Sequence, residues 1–248
     1  MRNFSFLILF VCLASCKQTT TKSIAQNIID TSIKDSGADK VANAKIEFEF
    51  RKRTYIATRK GGKFTLERYM MNDNTTIRDV LSNDGFERYK NKIKLQVADS
   101  MKTRYANSVN SVHYFSVLPY GLNDKAVHKK LLPDVTIKGK KYDKVQITFS
   151  EEGGGEDFED VYVYWIHKET HNIDYLAYSF HVNGGGMRFR EAVNERFVNG
   201  IRFVDYNNYK PTNASTKLLD LEKAFEKDQL VKVSEINLEN IKVDVFAN

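Results

Sequence analysis

The sequence predicts an α+β fold: a curved antiparallel sheet, an incomplete barrel, wrapping around helices. Three observations predict it. Stretches of apolar–polar alternation recur through most of the chain, with glycine and asparagine turn signals between them, as in hairpin-connected strands. Aromatic residues make up 12% of the sequence and only three of 248 residues are proline, a balance that suits paired strands whose rings pack on a pleated face. Three segments carry helical spacing, and one of them is long enough to lie against a sheet.

The first fifteen residues read as an export signal. Arg2 gives a positive start, and Phe4, Phe6, Leu7, Ile8, Leu9, Phe10 and Val11 form an apolar run. The run is too short to span a bilayer, which takes about 20 apolar residues, and it ends in small residues, as a cleavage site does. Leu13-Ala14-Ser15-Cys16 matches the lipobox, in which the cysteine thiol is acylated and the chain is cut before it. Cys16 is therefore the expected lipidation site and membrane anchor. The only other cysteine, Cys12, lies inside the signal, so no disulfide or cysteine metal site is expected. Several acyl chains are needed for a stable anchor. Residues 16–23 then form a polar tether, and residues 24–248 a single domain. No acidic run follows Cys16, which favours the periplasmic face of the outer membrane over the cell surface.

Past the tether, Ile24, Ile28, Ile29 and Ile33 make one stripe on a helix over 23–36, capped by Ser23 and ended by Gly37. Ile46, Phe48 and Phe50 alternate with Glu47, Glu49 and Arg51, a half-buried strand. Gly61-Gly62 turns the chain into a second strand over 63–71, and Asn83-Asp84-Gly85 marks a hairpin between 75–82 and 86–95. Val97, Met101, Tyr105, Val109 and Val112 recur at helical spacing over 97–112. Leu118-Pro119-Tyr120-Gly121 reads as a loop, and 124–132 as a short helix stopped by Pro133.

The second half is strand after strand. Val145, Ile147 and Phe149 share a face. Val161, Val163 and Trp165 alternate with Tyr162, Tyr164 and Ile166, so both faces are apolar. A turn over 168–172 leads to a strand over 173–182, and Gly184-Gly185-Gly186 to another over 187–191. A hairpin over 195–209 folds about Asn199-Gly200, 212–216 is a polar loop, and 218–246 holds an amphipathic segment and closing strands.

The formal net charge is +6, with 38 basic residues dispersed among 32 acidic ones. That dispersion argues against a nucleic-acid partner, which needs a concentrated basic face. Anionic lipid head groups suit such a surface better. Arg51, Lys52, Arg53, Arg59 and Lys60 sit among strand residues and read as a solvated face. The two glycine triplets lack the lysine and hydroxyl of a P-loop and read as turns. His167 and His171 flank a turn rather than sharing a helix face, which favours surface histidines over a zinc pair. Glu151, Glu152, Glu156, Asp157, Glu159 and Asp160 lack the alternation of a calcium loop and read as a solvated acidic loop. Arg188 and Arg190 share a strand face and either answer those acids or clamp an anion. There is no nucleophile elbow. Neither a metal, a cofactor nor a catalytic residue is assigned.

Phe48-Glu49-Phe50-Arg51, Leu118-Pro119-Tyr120, Gly139-Lys140-Lys141-Tyr142, Trp165-Ile166, Ala177-Tyr178, Arg188-Phe189-Arg190 and Asp205-Tyr206 resemble an uncharacterised family of Bacteroidota lipoproteins along nearly the whole mature chain. That family brings no established activity. The strand pattern over 142–149, 161–166 and 173–182, with its turn at 168–172, also resembles the periplasmic lipoprotein carriers of the LolA/LolB type. The carrier resemblance implies an incomplete barrel whose apolar concave face is lidded by helices and accepts acyl chains. Acylation of this chain fits LolB better than soluble LolA.

The leading expectation is a binding module holding a lipid or acylated peptide between sheet and helix. Its candidate lining is Val97, Met101, Tyr105, Val161, Tyr164, Trp165 and Tyr178, with Arg188 and Arg190. A scaffold lipoprotein with a filled core and a hydrolase-like enzyme using Arg188, Arg190, His181 and the acidic loop are the alternatives. An open apolar cavity favours the binder, a filled sheet–helix interface the scaffold, and convergent titratable groups the enzyme.

Overall fold

The computed structural model describes residues 22–153, 158–181 and 184–247. Helix α1 (Ile24–Asp35) comes first, with the Ser23 side chain accepting the Gln26 N–H, so the expected cap forms. Gly37 follows at φ +67°, the left-handed conformation that ends helices. An added Cβ there would lie 1.8 Å from the Gly200 carbonyl oxygen, so the glycine also permits a close backbone approach. Strands β1 (Ala44–Phe50), β2 (Arg53–Lys60), β3 (Lys63–Asn72), β4 (Thr75–Ser82), β5 (Gly85–Lys90) and β6 (Ile93–Lys94) form an antiparallel meander. Helix α2 (Asp99–Ser116) follows. Then come β7 (Val127–Ile137), β8 (Lys140–Phe149), β9 (Tyr162–His167), β10 (Ile173–Phe180), β11 (Gly186–Val198) and β12 (Ile201–Pro211). After helix α3 (Leu221–Glu226), β13 (Leu230–Ile236) and β14 (Glu239–Val245) end the fold.

The strands make two seven-stranded antiparallel sheets. The first runs β14-β1-β2-β3-β4-β5-β6 and the second β13-β12-β11-β10-β9-β8-β7. The chain steps from the edge of the second sheet, β13, to the edge of the first, β14, which pairs with β1. The sheets do not close into a barrel. This is the curved, incomplete barrel the alternation predicts. Among the described residues no helix is long and apolar enough to cross a membrane.

Strand registers set out the concave face of the first sheet in rows: Ala44–Arg59–Phe64, then Ile46–Ala57–Leu66–Leu81–Phe86, then Phe48–Tyr55–Arg68–Asp79–Arg88. The carboxy-terminal half of α2 plugs the bowl. His113 meets Phe48 and Tyr55 edge-on at 5.8 and 5.5 Å, and Phe115 reaches Phe50 in the first sheet and Tyr206 in the second. Ile29, Ile46, Phe48, Phe203 and Val145 belong to the same core, and full burial of each such side chain contributes roughly 1.5–3 kcal/mol. The amino-terminal half of α2 is tied to the first sheet. Arg68 donates to Asp79 and to Ser108 of the helix, and Arg88 bonds Asp79 while lying 3.4 Å from the Tyr105 ring centroid.

Residues 124–132 are not a helix; β7 runs through them and through Pro133, with a register shift between Leu132 and Val135. As an edge strand of its sheet β7 tolerates the missing proline N–H. His167 is not on the surface but 8% exposed, its Nδ1 accepting the N–H groups of Glu169 and Thr170 and its ring edge-on to Tyr142. The predicted helix over 97–112 starts two residues and ends four residues later, at Asp99–Ser116. Cys16 and the signal, Gly154 to Asp157, and Val182 lie outside the described residues.

Candidate functional site

A groove of about 340 Å³ opens at the seam between the sheets, beside the end of α2. Strands β2 and β3 supply Arg59, Phe64 and Leu66, while α2 and the turn after it supply Tyr114, Val117 and Tyr120. Strands β7 and β8 supply Val127 and Phe149. Its rim is polar, with Asn110, Lys63 and Asp124. The volume falls at the lower end of small-molecule sites, roughly 300–1,000 Å³, and the mix of apolar wall and few polar groups is their usual composition.

Arg59 is its unusual member. Alternation along β2 puts Arg59 on the same face as Tyr55 and Ala57, so it turns inward and is 8% exposed. Its guanidinium lies 5.1 Å from the Tyr120 ring centroid. Its Nη1 is buried with no hydrogen-bond partner. Burial lowers its pKa, opposed only by Tyr120. On the rim, partial burial raises the Asp124 carboxyl pKa, against the pull of Lys129.

Behind the groove wall runs a line of rings. Tyr114 Oη lies 3.2 Å from Tyr164 Oη, and burial pushes the Tyr114 hydroxyl up to about 12. Phe149 meets Tyr162, which stacks on Tyr178 at 5.4 Å, and Tyr178 in turn touches Phe180.

None of the nine expected lining residues borders the groove itself. Tyr164 and Tyr178 belong to the ring line behind it. Arg190 sits over the Phe115, Tyr178 and Tyr206 rings and donates to Tyr178 Oη at 3.1 Å, and Arg188 lies over Phe180. No described carboxylate forms an ion pair with either arginine, and both pack on aromatic faces; Glu156 and Asp157 of the acidic loop lie outside the described residues. Val161 precedes β9 and is half-buried. Trp165 faces the opposite side of the sheet, sealed under Phe189 and Lys144. That outer cluster is closed by α3, whose Phe225 packs on Tyr175, Phe189 and Tyr209 and whose Glu222 takes a 2.7 Å ion pair from buried Lys144. Tyr105 covers Arg88 and Phe86 at the far end of α2. Met101 is half-buried on its first turn, and Val97 precedes the helix. Sequence reasoning missed Arg59, Phe64, Leu66, Tyr114, Val117, Tyr120 and Phe149. The parity of β2 was the available signal for Arg59.

A second, polar cleft of about 620 Å³ lies at the end of the second sheet, among Gly139, Lys141, Lys168, Asn172, Asp174 and Glu195. Lys168 there holds Asp134 and Asp143 at 2.5 and 3.0 Å, and Arg202 holds the cleft's Glu195 and Asp174. Among the described residues no group of three or more His, Cys, Asp or Glu is placed to hold a metal ion.

The chain is thus an open, two-sheet antiparallel bowl plugged by one helix, with an amphipathic groove at its seam. It belongs to the DUF6503 family, a family of unknown function, whose profile matches residues 2–238. No curated protein matches the sequence. Among solved structures, a LolA-superfamily protein from Nitrosomonas europaea is similar with a TM-score of 0.49 and 10% identity, covering 89% of this chain and 94% of that one. A DUF1329-family protein from Desulfovibrio piger gives a TM-score of 0.45 at 10% identity over 92% and 96% of the two chains. The lipoprotein LppX of Mycobacterium tuberculosis gives 0.29 at 10% identity, over 65% of this chain and 91% of its own.

Proposed function

We propose that this protein is a membrane-anchored envelope lipoprotein that binds a hydrophobic ligand, a lipid or an acylated peptide, in the groove between its sheets. The observation that carries the reading is the groove itself, about 340 Å³ of space walled by Phe64, Leu66, Val117, Val127 and Phe149. Phe64, Val127 and Phe149 are only half-buried there, and apolar surface left open to solvent gains by being covered. The export signal and lipobox ending in Cys16 support anchoring by acyl chains, on the periplasmic face of the outer membrane.

Native mass spectrometry of the full chain purified from its own membranes tests the ligand. Wild-type protein carries an added lipid mass; Ala126→Trp, which places an indole in the groove, loses it while melting at the same temperature. Wild-type protein that carries no ligand and takes none from added lipid refutes the reading. For the anchor, Cys16→Ser shifts the protein to the soluble fraction, and retention in the membrane fraction refutes that part.

A further inference from the structure

We propose that Arg59 is the receptor for the anionic head of the groove's ligand, which is a single-chain amphiphile bearing a carboxylate, its hydrocarbon lying on Phe64, Leu66, Val117 and Phe149. This deepens the reading of the groove as a hydrophobic-ligand site and rests on it.

The argument starts from a contrast among the buried cations. Four are buried among the described residues: Arg59, Arg68, Lys144 and Arg202. Arg68 meets Asp79, Lys144 meets Glu222, and Arg202 meets Glu195 and Asp174. Arg59 alone forms no ion pair with a described carboxylate. A buried charge without a counter-charge is strongly disfavoured, and proteins keep one where a ligand completes it. Tyr120 compensates in part, by facing its ring to the guanidinium. A ring face leaves the in-plane N–H donors free, and Nη1 is a free one. Those donors have the planar fork that a carboxylate accepts.

Position adds to charge. Arg59 and Phe64 are cross-strand partners, and both line the groove with Leu66. A head group on the guanidinium therefore leaves its tail beside the apolar wall. The charged groups lining the groove are Arg59, Lys63 and Asp124. The two cations outnumber the acid by one, which matches a singly charged head, and the Asp124 carboxylate opposes a doubly charged one.

The test is a titration by native mass spectrometry of the full chain, delipidated in a neutral detergent, with dodecanoate, dodecanol, dodecyl phosphate and inorganic phosphate. A hydrogen-bonded charge contact gives wild-type protein about a 10- to 100-fold preference for dodecanoate over dodecanol. Arg59→Met brings dodecanoate down to the dodecanol level and leaves dodecanol unchanged, and Arg59→Lys keeps part of the preference. Arg59→Met without ligand melts no lower than wild type, because an unmatched charge has gone. Equal binding of dodecanoate and dodecanol, or undiminished dodecanoate binding by Arg59→Met, overturns the role of Arg59 and leaves the groove reading standing. Binding of inorganic phosphate as tight as dodecanoate, or a clear preference for dodecyl phosphate, overturns the carboxylate amphiphile. Failure of both dodecanoate and dodecanol overturns this proposal together with the groove reading. Should Arg59→Met not fold, the wild-type ratio of dodecanoate to dodecanol decides alone.

Discussion

Asp79 is the point at which the amino-terminal half of α2 is fastened to the first sheet, and its replacement by asparagine should be among the most damaging conservative changes in the chain. The carboxylate is fully buried. It accepts from Arg68 Nε and Nη2 at 3.2 and 2.6 Å and from Arg88 Nε and Nη2 at 2.6 and 2.9 Å. The three residues are cross-strand partners on β3, β4 and β5, so the cations cannot separate without breaking the ladder. Arg68 Nη2 and Arg88 Nη2, both on Oδ2, lie within about 5.5 Å of each other, where like charges repel by ~3 kcal/mol at an effective dielectric of ~20. Lost charge assistance adds to this, and breaking a buried pair in this way costs about 3–5 kcal/mol. Urea denaturation of Asp79→Asn, followed by circular dichroism and tyrosine fluorescence, should show a loss of that size. A triple change to Asp79→Leu, Arg68→Met and Arg88→Met should recover most of it, since apolar replacement removes the mismatch. A loss under about 1 kcal/mol for Asp79→Asn would refute the account of the network.

Two further outcomes follow from the backbone and from His113. Gly37→Ala drives a Cβ to 1.8 Å from the Gly200 oxygen at a φ of +67° and should cost about 2–4 kcal/mol; a calorimetric melt indistinguishable from wild type would contradict the close approach of those two turns. The His113 imidazole is held down to about 3, first by burial and then by the charges of Arg59 and Arg68, with a hydrogen bond to the Glu67 carbonyl opposing. Its folded pKa lies below the unfolded one near 6.5, so below that pH the unfolded chain binds the extra proton. The associated stability is complete above pH 6.5 and falls away toward pH 3, by up to ~1.4 kcal/mol per pH unit. Unfolding free energies measured between pH 6.5 and 5, above the range where carboxylates titrate, should therefore slope less steeply in His113→Gln than in wild type, and equal slopes would disprove the assignment.

Much of the fold was legible because hairpins announce themselves locally. Gly61-Gly62 and Asn199-Gly200 take the positive φ values their turns need, and the alternation in β1, β2 and β9 matches the observed faces. Residues 124–132 read as a helix stopped by Pro133, and only pairing with β8 decides for a strand. The apolar two-sidedness of β9 was legible too, but not what covers each side: α2 and the first sheet lie on the Tyr164 face, and α3 closes the Trp165 face. That choice depends on contacts between segments distant in sequence, which no local pattern carries. Arg59 was misassigned for another reason. It was grouped by charge with Arg51 and Lys52, which form an exposed turn, when its parity with Tyr55 and Ala57 put it inside.

The pairing of β14 with β1 joins Ala44 to Val245, so the first sheet stays one strand short until residues 239–245 are in place. Until then the β1 edge offers a bare row of amides and carbonyls to any passing strand, and the distance between the two segments along the polypeptide makes their meeting slow. Any route that frees residues 44–50 well before residues 239–245 therefore hands over an adhesive intermediate, and chaperone dependence should track how long the later segment lags behind.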